Sequence, residues 1–186
     1  MLKLYGSERS RASIIQWYLD EFAIPYEFVT VDLAAGEHRQ PEFLAINPVG
    51  KVPAIADGDF ILWESGAILL YLAEKYRHLP NSPEARAEIL QWVFYGNTTL
   101  STGILNEATR AEQLPRLLSP LEDRLTPRPY FMGESLSVVD VAVGSILAFL
   151  PIMFQVDYRP YPQIQAYLER LGERPAFRSA ILKQKD

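Results

Sequence analysis

Cysteine is absent from this 186-residue chain. That excludes disulfides and thiolate-ligated metal centres, and any reactive sulfur must arrive with a ligand. No metal site is expected. Basic clusters are lacking too. The 18 lysines and arginines stand against 23 aspartates and glutamates, a net charge of −5, which gives no support to nucleic-acid binding. No apolar run is long. The most apolar segment, residues 141–154, contains Gly144, Ser145 and Pro151. It falls short of the roughly 20 residues that span a bilayer, so it reads as a buried helix. Met1-Leu-Lys-Leu-Tyr-Gly lacks the apolar stretch of a signal peptide, and a cytoplasmic protein with no membrane partner is expected. There is no internal repeat and no low-complexity tract. What remains is an ordinary soluble composition, 48% hydrophobic and 22% charged, long enough for one large domain or two small ones.

Two kinds of pattern divide the chain. Leu2, Leu4 and Tyr5 mark a short strand, and residues 10–22 an amphipathic helix with Ile15, Leu19 and Phe22 on one stripe. Residues 26–33 alternate as a second strand. A polar stretch follows, with a helical turn around 41–44. Residues 52–56 and 59–63 read as a hairpin about Asp57-Gly58, and 64–76 as a helix. This βαβ-then-ββα order matches a thioredoxin-like domain. His78-Leu-Pro-Asn-Ser-Pro83 is linker-like. Helices are expected over 84–108, 111–125, 137–149, 162–171 and 176–182, with Ser137 as N-cap and Asp140 at the third helical position. The expected division is an α/β domain over 1–78, a linker over 79–83 and an all-α domain over 84–186.

The chemistry concentrates in two phrases. In Asn47-Pro-Val-Gly-Lys-Val-Pro53 the first proline and Gly50 make a turn, and Val52-Pro53 enters an apolar strand. Proline survives there only at an edge or with an unusual peptide bond. A cis bond would turn the Val52 backbone outward, ready to pair with an extended peptide. Ten residues on, Glu64-Ser65 opens a helix, and a helix N-terminus with a hydroxyl suits a carboxylate. An edge strand beside an anion site fits a small acidic peptide.

In order and spacing, Asn-Pro-x-Gly-x-Val-Pro, then Asp57-Gly58, then Glu64-Ser65-x-Ala67-Ile68 resembles the N-terminal domain of the cytosolic glutathione S-transferases. Ser137-x-x-Asp140 is similar to the capping box of their core C-terminal helix, and Tyr161-Pro-x-Ile164 and Arg174-Pro-Ala-Phe177 to their closing helices. The resemblance covers the whole chain. It implies glutathione as co-substrate, a small electrophile as second substrate, and a homodimer. It also implies that Val52 pairs its backbone with the cysteinyl part of glutathione while Pro53 holds that geometry. Ser65 would bind the γ-glutamyl carboxylate, with Glu64 facing the ammonium. His38, Arg39 and Lys51 match positions that contact the glycyl carboxylate in phi-type enzymes; taken alone they read equally as surface residues.

Such an enzyme must make a thiol nucleophilic near neutral pH, with a hydroxyl, a positive charge or a helix N-terminus aimed at the sulfur. Ser10 falls where theta and phi classes carry a catalytic serine, and Tyr5 near where alpha, mu and pi classes carry a tyrosine. Arg11 sits beside Ser10. The expected order is Ser10 as thiolate donor, Arg11 assisting, Tyr5 third. Ser10 as a simple helix cap, Tyr5 as a strand-closing aromatic and Arg11 as a solvated charge are the bland readings. The missing cysteine excludes the omega, beta and glutaredoxin mechanisms.

Phe94, Tyr95, Asn97, Leu100, Ser101, Phe149 and Phe154 are candidates for the second-substrate cleft. The small polar run 97–103 hints at a cleft, a subunit contact or a kink at Gly103. The chain is short between its first two long helices, which implies an open cleft, and Gly66 stands where many relatives carry a longer side chain. The short cysteine-free form is similar to bacterial members, including the chi class. The leading function is conjugation of the glutathione thiolate to small hydrophobic electrophiles, with peroxide reduction as a possible side activity. An isomerase or disulfide reductase is disfavoured because the loop Gly6-Ser-Glu-Arg-Ser10 lacks the Ser-Ser-Cys motif. A non-catalytic glutathione-, ligand- or partner-binding domain is the alternative.

Overall fold

Burial alternates along Leu2–Gly6, with Leu2, Leu4 and Gly6 inside and Lys3 and Tyr5 half-buried on the opposite face. That is the two-residue period of a strand with one face on the core. The computed structural model describes residues 1–126 and 128–184; of the expected helical domain, Pro127 and residues 185–186 lie outside them. Strand β1 (Leu2–Gly6) pairs in parallel with β2 (Tyr26–Thr30) and antiparallel with β3 (Ala54–Asp57). Strand β4 (Phe60–Trp63) completes a mixed sheet in the order β2-β1-β3-β4. Helix α1 (Ala12–Glu21) links β1 to β2. A 3₁₀ turn (Glu37–Arg39) and the single-turn α2 (Pro41–Leu44) lead towards β3, and α3 (Ser65–Lys75) follows β4. This is the expected thioredoxin-like arrangement.

Strand β2 stops short of the expected Leu33. The Asp32 carboxylate accepts the N–H groups of Ala34 and Ala35, both at 2.9 Å. An aspartate that bonds its own following backbone starts a turn and ends a ladder.

Beyond the sheet the regular elements among the described residues are helices, apart from an isolated bridge between Tyr130 and Gly133. Helix α4 (Pro83–Phe94) starts with Pro83 in its first turn and the Ser82 hydroxyl accepting from Ala85 N–H at 3.1 Å, as helix N-termini require. The rod continues to Leu105, but Tyr95–Leu100 widens into π turns before α5 (Ser101–Leu105). Thr98 Oγ1 and Ser101 Oγ donate to the carbonyls of Phe94 and Gly96, each at 2.7 Å. These hydroxyls serve carbonyls within the widened turns. The small polar run in mid-helix is thus the material of a π segment.

Asn106 alone separates α5 from α6 (Glu107–Leu125), and its side chain accepts from Ala108 N–H at 3.1 Å. The second long helix therefore starts ahead of the expected residue 111, because Asn106 caps it. A second π segment (Asp140–Gly144) precedes α7 (Ser145–Phe154), which outruns its expected end at 149 by passing through Pro151. A proline inside a helix frees the carbonyl four residues back. Here that carbonyl, on Leu147, accepts the buried Tyr158 hydroxyl at 2.7 Å.

The Ser137–Asp140 capping box forms as expected. Asp140 is fully buried, and its carboxylate accepts from Ser137 N–H (2.8 Å), Ser137 Oγ (2.7 Å), Phe131 N–H (2.9 Å) and Tyr167 OH (3.2 Å). Burial pushes the Asp140 carboxyl up from its ordinary pKa, and these donors pull it back.

Helices α8 (Pro162–Gly172) and α9 (Pro175–Ala180) end the described fold. Helix α8 is capped from α6: Glu122 accepts the N–H groups of Gln163 and Ile164 at 2.9 Å each. Helix α9 returns to the first domain. Phe177 packs edge-on against Trp17 of α1 with centroids 4.7 Å apart, and Arg174 pairs with Glu21, which also accepts from Trp17 Nε1 at 3.0 Å. One hydrophobic cluster runs from Leu2 to Ile181.

Candidate functional site

Strand register assembles the site. Val29, Tyr5, Ala54 and Trp63 form one rung across the four strands. Past that rung every strand meets a segment that holds candidate site residues, all at the same end of the sheet. Strand β1 runs out into Ser7–Arg11, β2 leads to His38 and Arg39, β3 is entered from Lys51-Val52-Pro53, and β4 leaves into Glu64-Ser65. Residues scattered over sixty positions therefore share one end of the sheet.

Of the two arrangements that admit a proline here the structure has the unusual bond: Val52–Pro53 is cis, and β3, which it enters, lies inside the sheet between β1 and β4, not at an edge. The turn before that bond is clamped by Asn47, which is 2% exposed. Its Nδ2 donates to Lys51 O at 2.6 Å and its Oδ1 accepts from Val49 N–H at 3.0 Å. Gly50 has φ 64°, and a Cβ there would stand 2.9 Å from the His38 carbonyl oxygen. Both facts demand glycine, and the close approach carries the His38 turn onto the Lys51 turn. The sequence marked Asn47 as a turn residue; its side-chain clamp was not read from it.

Glu64 has φ 74° and ψ 116°, a conformation that a non-glycine residue adopts at a cost of roughly 1–3 kcal/mol and that concentrates at ligand sites. Ser65 follows at the first turn of α3, whose leading N–H groups have no carbonyl within the helix. Ser65 is 4% exposed, and its hydroxyl donates to Asn97 Oδ1 in the π segment at 2.9 Å. That contact with the helical domain is invisible in the sequence, where Asn97 stands out only as a small polar residue in mid-helix.

The loop after β1 is held by Ser10. Its hydroxyl donates to Ser7 O at 2.8 Å and accepts from Ser7 N–H and Ala12 N–H, both at 3.2 Å. The capping role is thus on display. Arg11 is solvent-exposed; its carbonyl accepts from Ile14 N–H at 3.1 Å, and its side chain is in no ion pair among the described residues. Tyr5 is half-buried with its ring edge-on to Phe43 at 6.3 Å.

Charges of both signs are free at this end of the sheet, Glu8, Glu37, Glu42 and Glu64 standing in no ion pair among the described residues either. Lys3, Lys75, Arg86, Arg124, Arg159 and Arg174 are paired with carboxylates, whereas Arg9, Arg11, Arg39 and Lys51 are in no ion pair among the described residues. Nδ1 of His38 is buried and lacks a hydrogen-bond partner. Cations left without counterions around a half-open end favour an anionic ligand.

The second-substrate candidates separate. Leu100 and Ser101 are buried in the core, and Tyr95 is pinned by its hydroxyl to Leu117 O at 2.6 Å. Phe94 is 57% exposed. Phe154 lies under the Arg110 guanidinium, 4.3 Å from its centroid. A hollow of about 290 Å³ lined by residues including Arg128, Gln163 and Arg170 shares no residue with that end of the sheet. Both arginines there already donate to backbone carbonyls. Among the described residues no cluster of histidine and carboxylate side chains could hold a metal ion, and no helix is long and apolar enough to cross a membrane.

A thioredoxin-like sheet with this site at its end, followed by an all-helical domain, defines the class. The family model for the glutathione S-transferase N-terminal domain matches residues 1–74, and that for the C-terminal domain matches residues 84–180. The chain belongs to the glutathione S-transferase family. It is 32% identical over 207 residues to Glutathione S-transferase GstB of Escherichia coli, covering 98% of each chain. It is 34% identical over 206 residues to the disulfide-bond oxidoreductase YfcG of Escherichia coli, covering 98% of this chain and 95% of that one. The crystal structure of the theta class glutathione S-transferase of Xanthomonas axonopodis pv. citri with glutathione bound superposes with a TM-score of 0.86 at 26% identity, covering 97% of both chains.

Proposed function

We propose that this protein is a glutathione transferase that joins the glutathione sulfur to small hydrophobic electrophiles in detoxification. The carrying observation is the shared rung Tyr5–Ala54–Trp63, beyond which a cis-proline bond, a helix N-terminus with a hydroxyl and unneutralised cations converge. Val52 pairs with the cysteinyl backbone, and Pro53 holds that geometry. Ser65, with the first N–H groups of α3, takes the γ-glutamyl carboxylate, and Glu64 takes the ammonium. His38, Arg39 and Lys51 surround the glycyl carboxylate. Lengthwise, the tripeptide then lies along that end of the sheet with its sulfur towards the N-terminus of α1.

There Ser10 turns its hydroxyl from Ser7 O to the thiolate, Arg11 adds positive charge, and Tyr5 is the third contributor. The thiol loses its proton to solvent, and the sulfur attacks the electrophilic carbon. A C–S bond forms as the leaving group departs or the adduct is protonated. The protein supplies thiolate stabilisation and proximity, with no nucleophile of its own. The same thiolate supports peroxide reduction as a side activity. Phe94 and Phe154 face the second substrate. The single-residue link at Asn106 leaves that side open. Residues 1–78 bind glutathione, 79–83 connect, and 84–186 contribute the electrophile side.

Exposed Phe60 and Ile61 on β4 and Leu90 on α4 support a homodimer, in the cytoplasm. One observation favours a second reading, a non-catalytic glutathione-binding domain: the Ser10 proton is already committed to Ser7 O. Ultraviolet difference absorbance of glutathione bound to the protein, titrated with pH, separates the two. A thiolate band titrating below the free thiol (about 8.5) is expected. Binding without that shift points to the non-catalytic reading, and absence of binding overturns both.

A further inference from the structure

We propose that Asn97 is a latch on Ser65. It holds the Ser65 hydroxyl proton in the free protein and gives it up when the carboxylate of a γ-glutamyl ligand docks at the start of α3. This rests on the reading of Ser65 as the carboxylate-binding residue.

The hydrogen bonds fix the direction of the latch. Asn97 Nδ2 donates to Val93 O at 3.0 Å. Only the NH₂ end of an amide can face a carbonyl, so Oδ1 must face Ser65, where it can only accept. Ser65 Oγ–H meets it at 2.9 Å. A serine hydroxyl carries one proton, and a carboxylate, like an amide oxygen, only accepts. Ser65 therefore serves Asn97 or the ligand, not both.

Exchange is feasible because the two partners differ in exposure. Ser65 is 4% exposed and needs a protein or ligand acceptor. Asn97 is half-buried, so water can take over its Oδ1 on release. The ligand bond is charge-assisted and wins, but its gain is reduced by the bond surrendered. Gly66 makes the contact possible. A Cβ at position 66 would lie 3.3 Å from Asn97 Nδ2 and 3.5 Å from its Cγ and from Val93 Cγ1, tight enough to push the amide away. The bare backbone at 66 admits a side chain of the helical domain into the carboxylate site of the first.

Calorimetric titration with glutathione and with its des-carboxy analogue, 4-aminobutyryl-cysteinyl-glycine, tests the latch. N97A should bind glutathione about three- to tenfold tighter than wild type, the worth of one surrendered neutral hydrogen bond. N97D, a charged acceptor beside the ligand carboxylate, should bind more weakly. The analogue should bind wild type and N97A alike, and the gain in N97A should vanish in an S65A background. Gly66→Ala should shift affinity in the same direction as N97A. If S65A weakens glutathione binding but N97A binds equally or less well, the latch is overturned and the Ser65 assignment survives. If S65A leaves glutathione affinity unchanged, the Ser65 assignment falls and takes the latch with it.

Discussion

Replacing Ser10 with alanine removes one proton and two lone pairs from the loop between β1 and α1. In the free protein three backbone groups lose their partner: Ser7 C=O at 2.8 Å, and Ser7 N–H and Ala12 N–H at 3.2 Å. Loss of a serine cap costs about 1 kcal/mol, within a range of roughly 0.5–2. At about 2–4 °C per kcal/mol for a chain of this size, Tm should fall by about 1–8 °C. The effect on bound glutathione is a difference of two bonds. A hydrogen bond to a thiolate contributes about 1.5–3 kcal/mol, and giving up the neutral bond to Ser7 O costs about 1. The remaining 0.5–2 kcal/mol, at about 1.4 kcal/mol per unit, corresponds to a thiol pKa about 0.4–1.5 units higher in Ser10→Ala. Spectroscopic titration of the bound thiolate measures the shift, thermal melting measures the cap, and kcat/KM at fixed pH should fall with the thiolate fraction. Tyr5→Phe is the control and should change the thiol pKa least. A lower Tm with an unchanged thiol pKa and unchanged turnover would refute the reasoning, leaving Ser10 as a cap alone and the chemistry to Arg11.

Other expectations follow from single contacts. Asp140→Ala should destabilise the protein by about 3–5 kcal/mol, because buried Phe131 N–H and Tyr167 OH and both Ser137 donors lose their acceptor. Urea denaturation would show a lower midpoint, and a loss below 1 kcal/mol would contradict this account. His78 Nδ1 shares a hydrogen bond with the Tyr18 hydroxyl at 2.6 Å, and partial desolvation lowers the His78 pKa. With the folded pKa below the unfolded value of about 6.5, this stability is present above pH 6.5 and lost as pH falls through the folded pKa. Melting curves between pH 7.5 and 5.5 should therefore separate less in His78→Phe than in wild type; an identical pH dependence would remove the contact from the balance. Gly50→Ala should weaken glutathione binding more than it lowers Tm, since a Cβ 2.9 Å from His38 O displaces two ligand-facing turns at once. Unchanged affinity in that variant would separate the turns from the site.

What the sequence revealed depended on range. Local chemistry was legible. The alternation of β1, the Asp57-Gly58 hairpin, the Ser137–Asp140 box and the punctuation of Val52-Pro53 each involve residues within a few positions of one another, and each formed as read. Boundaries failed where a neighbour in space intervened. Helix α7 passes through Pro151 because Tyr158 takes up the freed Leu147 carbonyl, and α6 begins early because Asn106 caps it. The π segments were not legible, since they displace side chains without changing the apolar pattern that announces a helix. At the candidate site, Glu64 and Ser65 were marked by type and spacing, but the partner of Ser65 lies 32 positions away on another domain. Nor does sequence say which atom a hydroxyl proton faces: Ser10 was singled out as a donor, and its resting acceptor, Ser7 O, is a backbone group no pattern marks.

The return of α9 to α1 has a temporal meaning. Trp17 is wholly buried, and one of the residues covering it is Phe177, with Arg174 closing on Glu21 from the same helix. During synthesis the sheet and α1 emerge before α9 does, so the newborn first domain carries an indole on α1 that lacks part of its cover, and that face stays an apolar landing place until α9 arrives to fill it.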